Sequence, residues 1–317
     1  MSLDSRRAKT VLLILAGGLL CVVLLCIVPE GARLENQSKK ICPLPSSAFL
    51  GYDWFNNGEL LWATSKGGSA RIYTLNTSNG STSPLEIPTR ALQGLGSQLK
   101  GGWNFFGVSP GKDQLAIREL IDQVESLLFI DLTNGSIRKE RLADDEHYMC
   151  WLGDGSGLVK FARHREHSEA RIIHWDRSNQ ETVQLPVSVG YPFLLRANDG
   201  LLMTCIERDR TTLEVSSTFV KTQATILQKI NFPVTGPGDQ LEPVFSPDGT
   251  RLCWVKWLPG GYFQGSRFSL VVANLGTGRS EEYRTTDLIG GLRWRPDSHA
   301  ISYFSNGSIY LYELKDD

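Results

Sequence analysis

Few residues of this chain have types and spacing suited to chemistry, and each has to be weighed against the element that carries it. Gly107-Val108-Ser109-Pro110-Gly111 matches the Gly-x-Ser-x-Gly form of a serine nucleophile elbow. That elbow needs a strand-to-helix turn to present the hydroxyl, and Asp and His partners later in the chain to activate it. Here the apolar run Leu115-Ala116-Ile117 follows instead, so the segment reads as the turn of a β-hairpin. His164, His167 and Glu169 offer two imidazoles and a carboxylate, a donor set that suits zinc. Such His-x-x-His pairs usually rest on a helix, whereas this one links two strand-like runs. A polar hairpin loop is the reading adopted, with the three residues kept as weak metal candidates. Gly111-Lys112 lacks the upstream glycine of a phosphate-binding loop. Finally, Trp257, Tyr262 and Phe263 place three aromatics in a Pro/Gly-rich loop, the composition of an interface anchor. The competing reading folds them down over a strand edge. No catalytic set and no cofactor motif stands out.

The elements that must position these residues are β-strands. A hairpin unit, Val244-Phe245-Ser246-Pro247-Asp248-Gly249 followed by Arg251-Leu252-Cys253-Trp254, combines apolar runs with turn chemistry. Pro presets φ, Asp bonds back to the backbone and Gly accepts positive φ. The register recurs around Trp54, Val108, Trp151, Ala197 and Trp294. The first apolar residues after the turns are Leu60, Leu115, Leu158, Leu201, Leu252 and Ile301, separated by 55, 43, 43, 51 and 49 positions. Six copies at this period predict an all-β fold, a six-bladed β-propeller of four-stranded antiparallel blades. The last copy provides only three strands, which leaves an edge to be paired. Residues 41–50 are the expected closing strand, within a propeller spanning 41–317.

The first forty residues differ in kind. Arg6, Arg7 and Lys9 precede an uninterrupted apolar stretch, 10–28, that Pro29 and Glu30 end. Nineteen residues at ~1.5 Å rise make a helix of roughly 28 Å, close to the hydrocarbon thickness of a bilayer. The stretch exceeds the ~7–15 residues of a signal-peptide core and lacks a small-x-small site after it, so an uncleaved anchor is expected. The basic residues before it place the tail, 1–9, in the cytoplasm and the remainder outside, after a linker at 29–40. A bacterial periplasm is the favoured compartment. Lys plus Arg total 33 and Asp plus Glu 34, so no charge excess exists to drive binding to nucleic acid. Of six cysteines, Cys42, Cys150, Cys205 and Cys253 lie beyond the anchor, without CxxC spacing. They read as buried thiols, and spacing chooses no disulfide pair among them. Three Asn-Gly-Ser sequons coincide with tight-turn chemistry, which suffices to explain them.

The Phe245-to-Trp254 unit resembles the Trp-Asp-like repeat of the TolB-like propeller family and of prolyl-oligopeptidase-type propeller domains. As a repeat pattern the resemblance runs from Leu50 to Leu314. TolB has an additional α/β domain before its propeller, which this chain lacks, and no hydrolase domain follows the ring. The resemblance implies a fold and a habit of binding other proteins. In such a ring the first-to-second and third-to-fourth turns share one face. The other face carries the longer segments, here expected at 89–101, 118–125, 163–169, 231–242 and 257–266. Loops on a rigid scaffold are where function concentrates. The expected function is therefore a membrane-anchored, non-catalytic scaffold. It binds a protein or envelope component through the long-loop face, without a cofactor. The alternative is a hydrolase or lyase with its site at the mouth of the central channel.

Overall fold

The structure, a computed structural model, describes residues 33–315 except 44–48, 67–68, 86–105, 122–123, 143–145, 153–154, 156, 164–167, 175–179, 186–192, 199–200, 210–211, 220–224, 232–242 and 258–267. One short helix, α1 (Leu34–Gln37), precedes strand β1 (Ser38–Pro43). No helix among the described residues is long and apolar enough to cross a membrane, and the apolar stretch 10–28 lies outside them.

The described strands form six four-stranded antiparallel sheets. Five of them are simple meanders. The first sheet holds β2 (Phe49–Asn56), β3 (Glu59–Lys66), β4 (Ser69–Asn76) and β5 (Thr82–Pro84). The second holds β6 (Phe106–Val108), β7 (Gln114–Ile121), β8 (Val124–Asp131) and β9 (Ile137–Arg141). In the third are β10 (Glu146–Trp151), β11 (Gly157–Arg163), β12 (Ser168–His174) and β13 (Gln180–Leu185). The fourth contains β14 (Phe193–Asn198), β15 (Leu201–Asp209), β16 (Thr212–Phe219) and β17 (Thr225–Asn231). The fifth contains β18 (Val244–Phe245), β19 (Arg251–Trp257), β20 (Phe268–Asn274) and β21 (Ser280–Thr285). The sixth is β22 (Ile289–Trp294), β23 (Ala300–Ser305) and β24 (Ser308–Glu313), completed by β1. The first strands of successive sheets pack side by side in chain order, and β22 returns to β2.

The repeated turn works as its composition dictates. Ser246 Oγ accepts the Arg251 N–H (2.9 Å) and donates to the Asp248 carboxylate, which in turn accepts the Thr250 N–H (3.0 Å). Gly249 supplies φ +73°. In the Gly-x-Ser-x-Gly copy, Ser109 Oγ donates to Asp113 Oδ1 (2.9 Å) and accepts the Gln114 N–H (3.0 Å). That hydroxyl is buried inside a strand–turn–strand hairpin, so it has no elbow to present it. Between β23 and β24, Asn306 (φ 46°) and Gly307 (φ 68°) form the two-residue hairpin turn with two positive φ values that Asn-Gly favours. Cys42 and Cys253 are both free and buried.

The closing strand begins earlier than the sequence placed it. β1 is Ser38–Pro43 and pairs with β24 from Ser38↔Tyr312 to Pro43↔Ser308. Phe49 and Leu50, taken as the end of a closing strand over 41–50, belong to β2. The polar Ser38-Lys39-Lys40 run resembles linker because an outermost strand buries little, here only Ile41 and Cys42. Nor are residues 33–40 simply a linker. Arg33 makes a parallel bridge to Arg284, and Leu34 is 0% exposed, part of the apolar cluster that joins the fifth and sixth sheets. A second latch crosses to the first sheet, where Lys39 Nζ donates to the carbonyls of Thr77 (3.1 Å) and Ser78 (3.0 Å).

Candidate functional site

The first strands bring together residues that the repeat had placed in one register. Trp151 Nε1 on β10 donates to the Gly107 carbonyl on β6 (2.8 Å). Trp294 Nε1 on β22 donates in the same way to the Val244 carbonyl on β18 (2.8 Å). In both cases the acceptor is the residue preceding the equivalent position one copy earlier. The corresponding acceptor for Trp54, across the seam where the last sheet meets the first, is the Arg293 carbonyl. It is reached through a relay: Trp54 Nε1 donates to Ser302 Oγ (3.0 Å), which donates to Arg293 O (3.2 Å). An indole packs its apolar body and requires one acceptor for its N–H, so each Trp both fills and fastens a seam.

That last seam also carries charge. Asp53, between Tyr52 and Trp54 on β2, accepts the Val108 N–H of β6 (2.9 Å) and its neighbour Trp54 N–H (2.9 Å). It faces Arg293 Nε of β22 at 3.9 Å, and the two side chains are 21% and 31% exposed. Thus one carboxylate touches the first strands of the sheets on both sides. Burial raises its pKa above the usual carboxylate value, while Arg293 and the two N–H donors act in the opposite direction. Tyr52 Oη donates to the Gly291 carbonyl (2.7 Å), and burial raises its pKa as well. Gly291 sits at φ +60° within an irregular stretch of β22, between Gly290 and Arg293, that turns its carbonyl toward Tyr52. The chemistry of this arrangement is fastening: Asp53 is engaged as an acceptor and Arg293 neutralises it.

Of the residues singled out from sequence, Trp257 and Glu169 are described. Trp257 is the last residue of β19, opposite Phe268 in the ladder, while Tyr262 and Phe263 fall outside the described residues. His164 and His167 also fall outside them, and Glu169 lies in β12, opposite Ala162 and Gln184. Among the described residues no group of three His, Cys, Asp or Glu side chains is placed to hold a metal ion. Sequence reasoning missed the Asp53–Arg293 pair. Its signal was the residue just before the Trp in the first and last copies, Asp in one and Arg in the other.

Connection lengths vary widely on the face expected to carry the longer segments. The segment 118–125, expected as a long loop, lies within β7 and β8, which leave only residues 122–123 between them. Charged residues at Arg118, Glu119 and Glu125 suggested a loop, yet they continue the ladder as Arg118↔Leu127 and Leu120↔Glu125. Two-residue connections also join β3 to β4, β15 to β16, and β23 to β24. By contrast, ten residues (258–267) separate β19 from β20, and twelve (232–243) separate β17 from β18.

No protein-family model matches the chain, and no curated protein matches it in sequence. Solved structures do match in shape. A putative TolB from Agrobacterium tumefaciens aligns at a TM-score of 0.52 with 13% identity, over 84% of this chain and 91% of that one. TolB from Acinetobacter baumannii gives 0.54 and 11%, over 82% of this chain and 64% of that one. The β-propeller domain of Cps50 (Swd1) from Myceliophteria thermophila gives 0.51 and 11%, over 86% and 99%. At such identities the likeness is one of fold: the chain has a TolB-like β-propeller fold.

Proposed function

We propose that this chain is a membrane-tethered, six-bladed propeller that binds a protein or another envelope component, without catalysis, through the face carrying its longer connections. Its ring is held outside the cytoplasm, in a bacterial periplasm, by residues 10–28. The observation that carries the reading is one connection far longer than its counterparts in the other sheets. Four of the second-to-third connections are two-residue hairpins, whereas the ten residues after Trp257 include Tyr262 and Phe263. A rigid ring with a single enlarged aromatic hairpin presents a small anchor on a fixed frame, the usual form of a recognition site. The fastening role of Asp53 and Arg293 favours a scaffold over a catalytic channel mouth, since both are engaged across strands.

The test replaces Trp257, Tyr262 and Phe263 together by Ser in the full chain. Binding through this loop predicts loss of cross-linked partners from envelope extract with an unchanged melting temperature. A clear fall in melting temperature means that the aromatics cover a blade edge, each burial being worth about 1.5–3 kcal/mol. That result, or unchanged capture, removes the reading.

A further inference from the structure

The place where the chain enters the ring constrains which part of the ring meets the membrane. Arg33 bridges Arg284, the second-last residue of β21, at the end of the fifth sheet where Trp257 pairs with Phe268 and Phe268 with Thr285. This is the end with the longer connections. From Leu34 onward there is no slack. Leu34 is fully buried, and β1 is locked into the sixth sheet within four residues. Between the apolar stretch ending at Val28 and the fixed Arg33 the chain takes five steps. At ~3.3–3.6 Å per residue that is a reach of roughly 17 Å, of which the headgroup layer takes about 6 Å.

Four residues past Arg284 comes Leu288, in the three-residue connection that leads from β21 to β22. It is 69% exposed, and among the described residues no other large hydrophobic side chain is exposed. Arg33 and Arg284 are exposed beside one another there; Glu282, Glu281 and Asp287 are the acidic groups nearest Arg284 in sequence, and Glu35 and Glu30 those nearest Arg33. Apolar and cationic side chains whose backbone is tethered within about 11 Å of a headgroup layer match its chemistry: Leu enters the acyl boundary and guanidinium groups pair with lipid phosphate. We propose that the corner formed by Arg33, Arg284 and Leu288 rests on the bilayer to which the chain is tethered, so that the ring stands tilted, held at this edge. The proposal depends on residues 10–28 being the membrane anchor, as proposed above.

The full chain, reconstituted into vesicles containing a third anionic lipid, tests it with a fluorophore at Leu288→Cys and, separately, at Thr277→Cys. Thr277 is exposed in the turn at the opposite end of the fifth sheet. The unsubstituted chain gives the background labelling. Lipid carrying a headgroup-level quencher should quench position 288 strongly and position 277 little. Arg33→Gln and Arg284→Gln should each weaken that contact about fivefold in anionic vesicles at low salt. Flotation after a carbonate wash separates the two readings. If the chain floats but 288 and 277 are quenched alike, or 288 not at all, the corner does not touch lipid and only this proposal is overturned. A chain that fails to float overturns the anchor as well.

Discussion

Replacing Leu34 by Ala measures whether the segment before β1 is part of the ring or a passive lead-in. The side chain is 0% exposed and belongs to the apolar cluster that joins the fifth and sixth sheets, so the substitution removes three carbon atoms from that seam. Leu→Ala at such sites costs about 2–5 kcal/mol, the spread reflecting how far the walls relax. Sheets joined by ladders on both sides relax little, which places the expected cost in the upper half of that range. A ring of this size loses about 2 °C of melting temperature per kcal/mol, so a fall of about 7–10 °C is expected. Unfolding of the full chain in detergent, followed by Trp fluorescence, reports it directly because Trp294 lines the same cluster. Lys40→Ala, at an exposed position on the adjoining strand, should change stability by no more than about 0.5 kcal/mol. If Leu34→Ala melts like Lys40→Ala, Leu34 does not hold the seam and the reasoning from burial fails.

Two further substitutions probe the fastening of the first strands. Trp294→Phe leaves the Val244 carbonyl without its indole donor and should cost about 1–3 kcal/mol, whereas Trp54→Phe should cost about 1 kcal/mol less. The difference arises because Ser302 Oγ still donates to Arg293 O after the indole is gone, and equal urea midpoints for the two variants would contradict the relay. Asp53 has a folded pKa above its unfolded value of about 3.9, so the folded state keeps that proton longer. Stability contributed by the site therefore falls as pH rises from about 3.9 through the raised folded value, and is level above it. Relative to Asp53→Asn, the parent should gain stability as pH drops from neutral through that window. Urea midpoints taken between pH 7 and pH 4 that show a level or opposite difference would rule this out.

The sequence by itself determined the repeat and hence the sheets, because both rest on local chemistry. Ser246, Asp248 and Gly249 close their turn with bonds spanning two to five positions, and apolar runs on either side of such a turn have to pair as a hairpin. The apolar residues that follow the repeated turns, Leu60, Leu115, Leu158, Leu201, Leu252 and Ile301, each fall in the second strand of a sheet. What only the tertiary structure decided lies at the seams. Tyr52 and Gly291 are 239 positions apart and Trp54 and Ser302 are 248 apart, so nothing in either neighbourhood announces the bond. The Ser38-Lys39-Lys40 run looks like linker because, as the outermost strand, it hydrogen-bonds along one edge and leaves Lys39 and Lys40 exposed. Leu34 appears from sequence as an isolated leucine among polar residues. It becomes a wedge only where the fifth and sixth sheets converge, and no local pattern encodes that convergence.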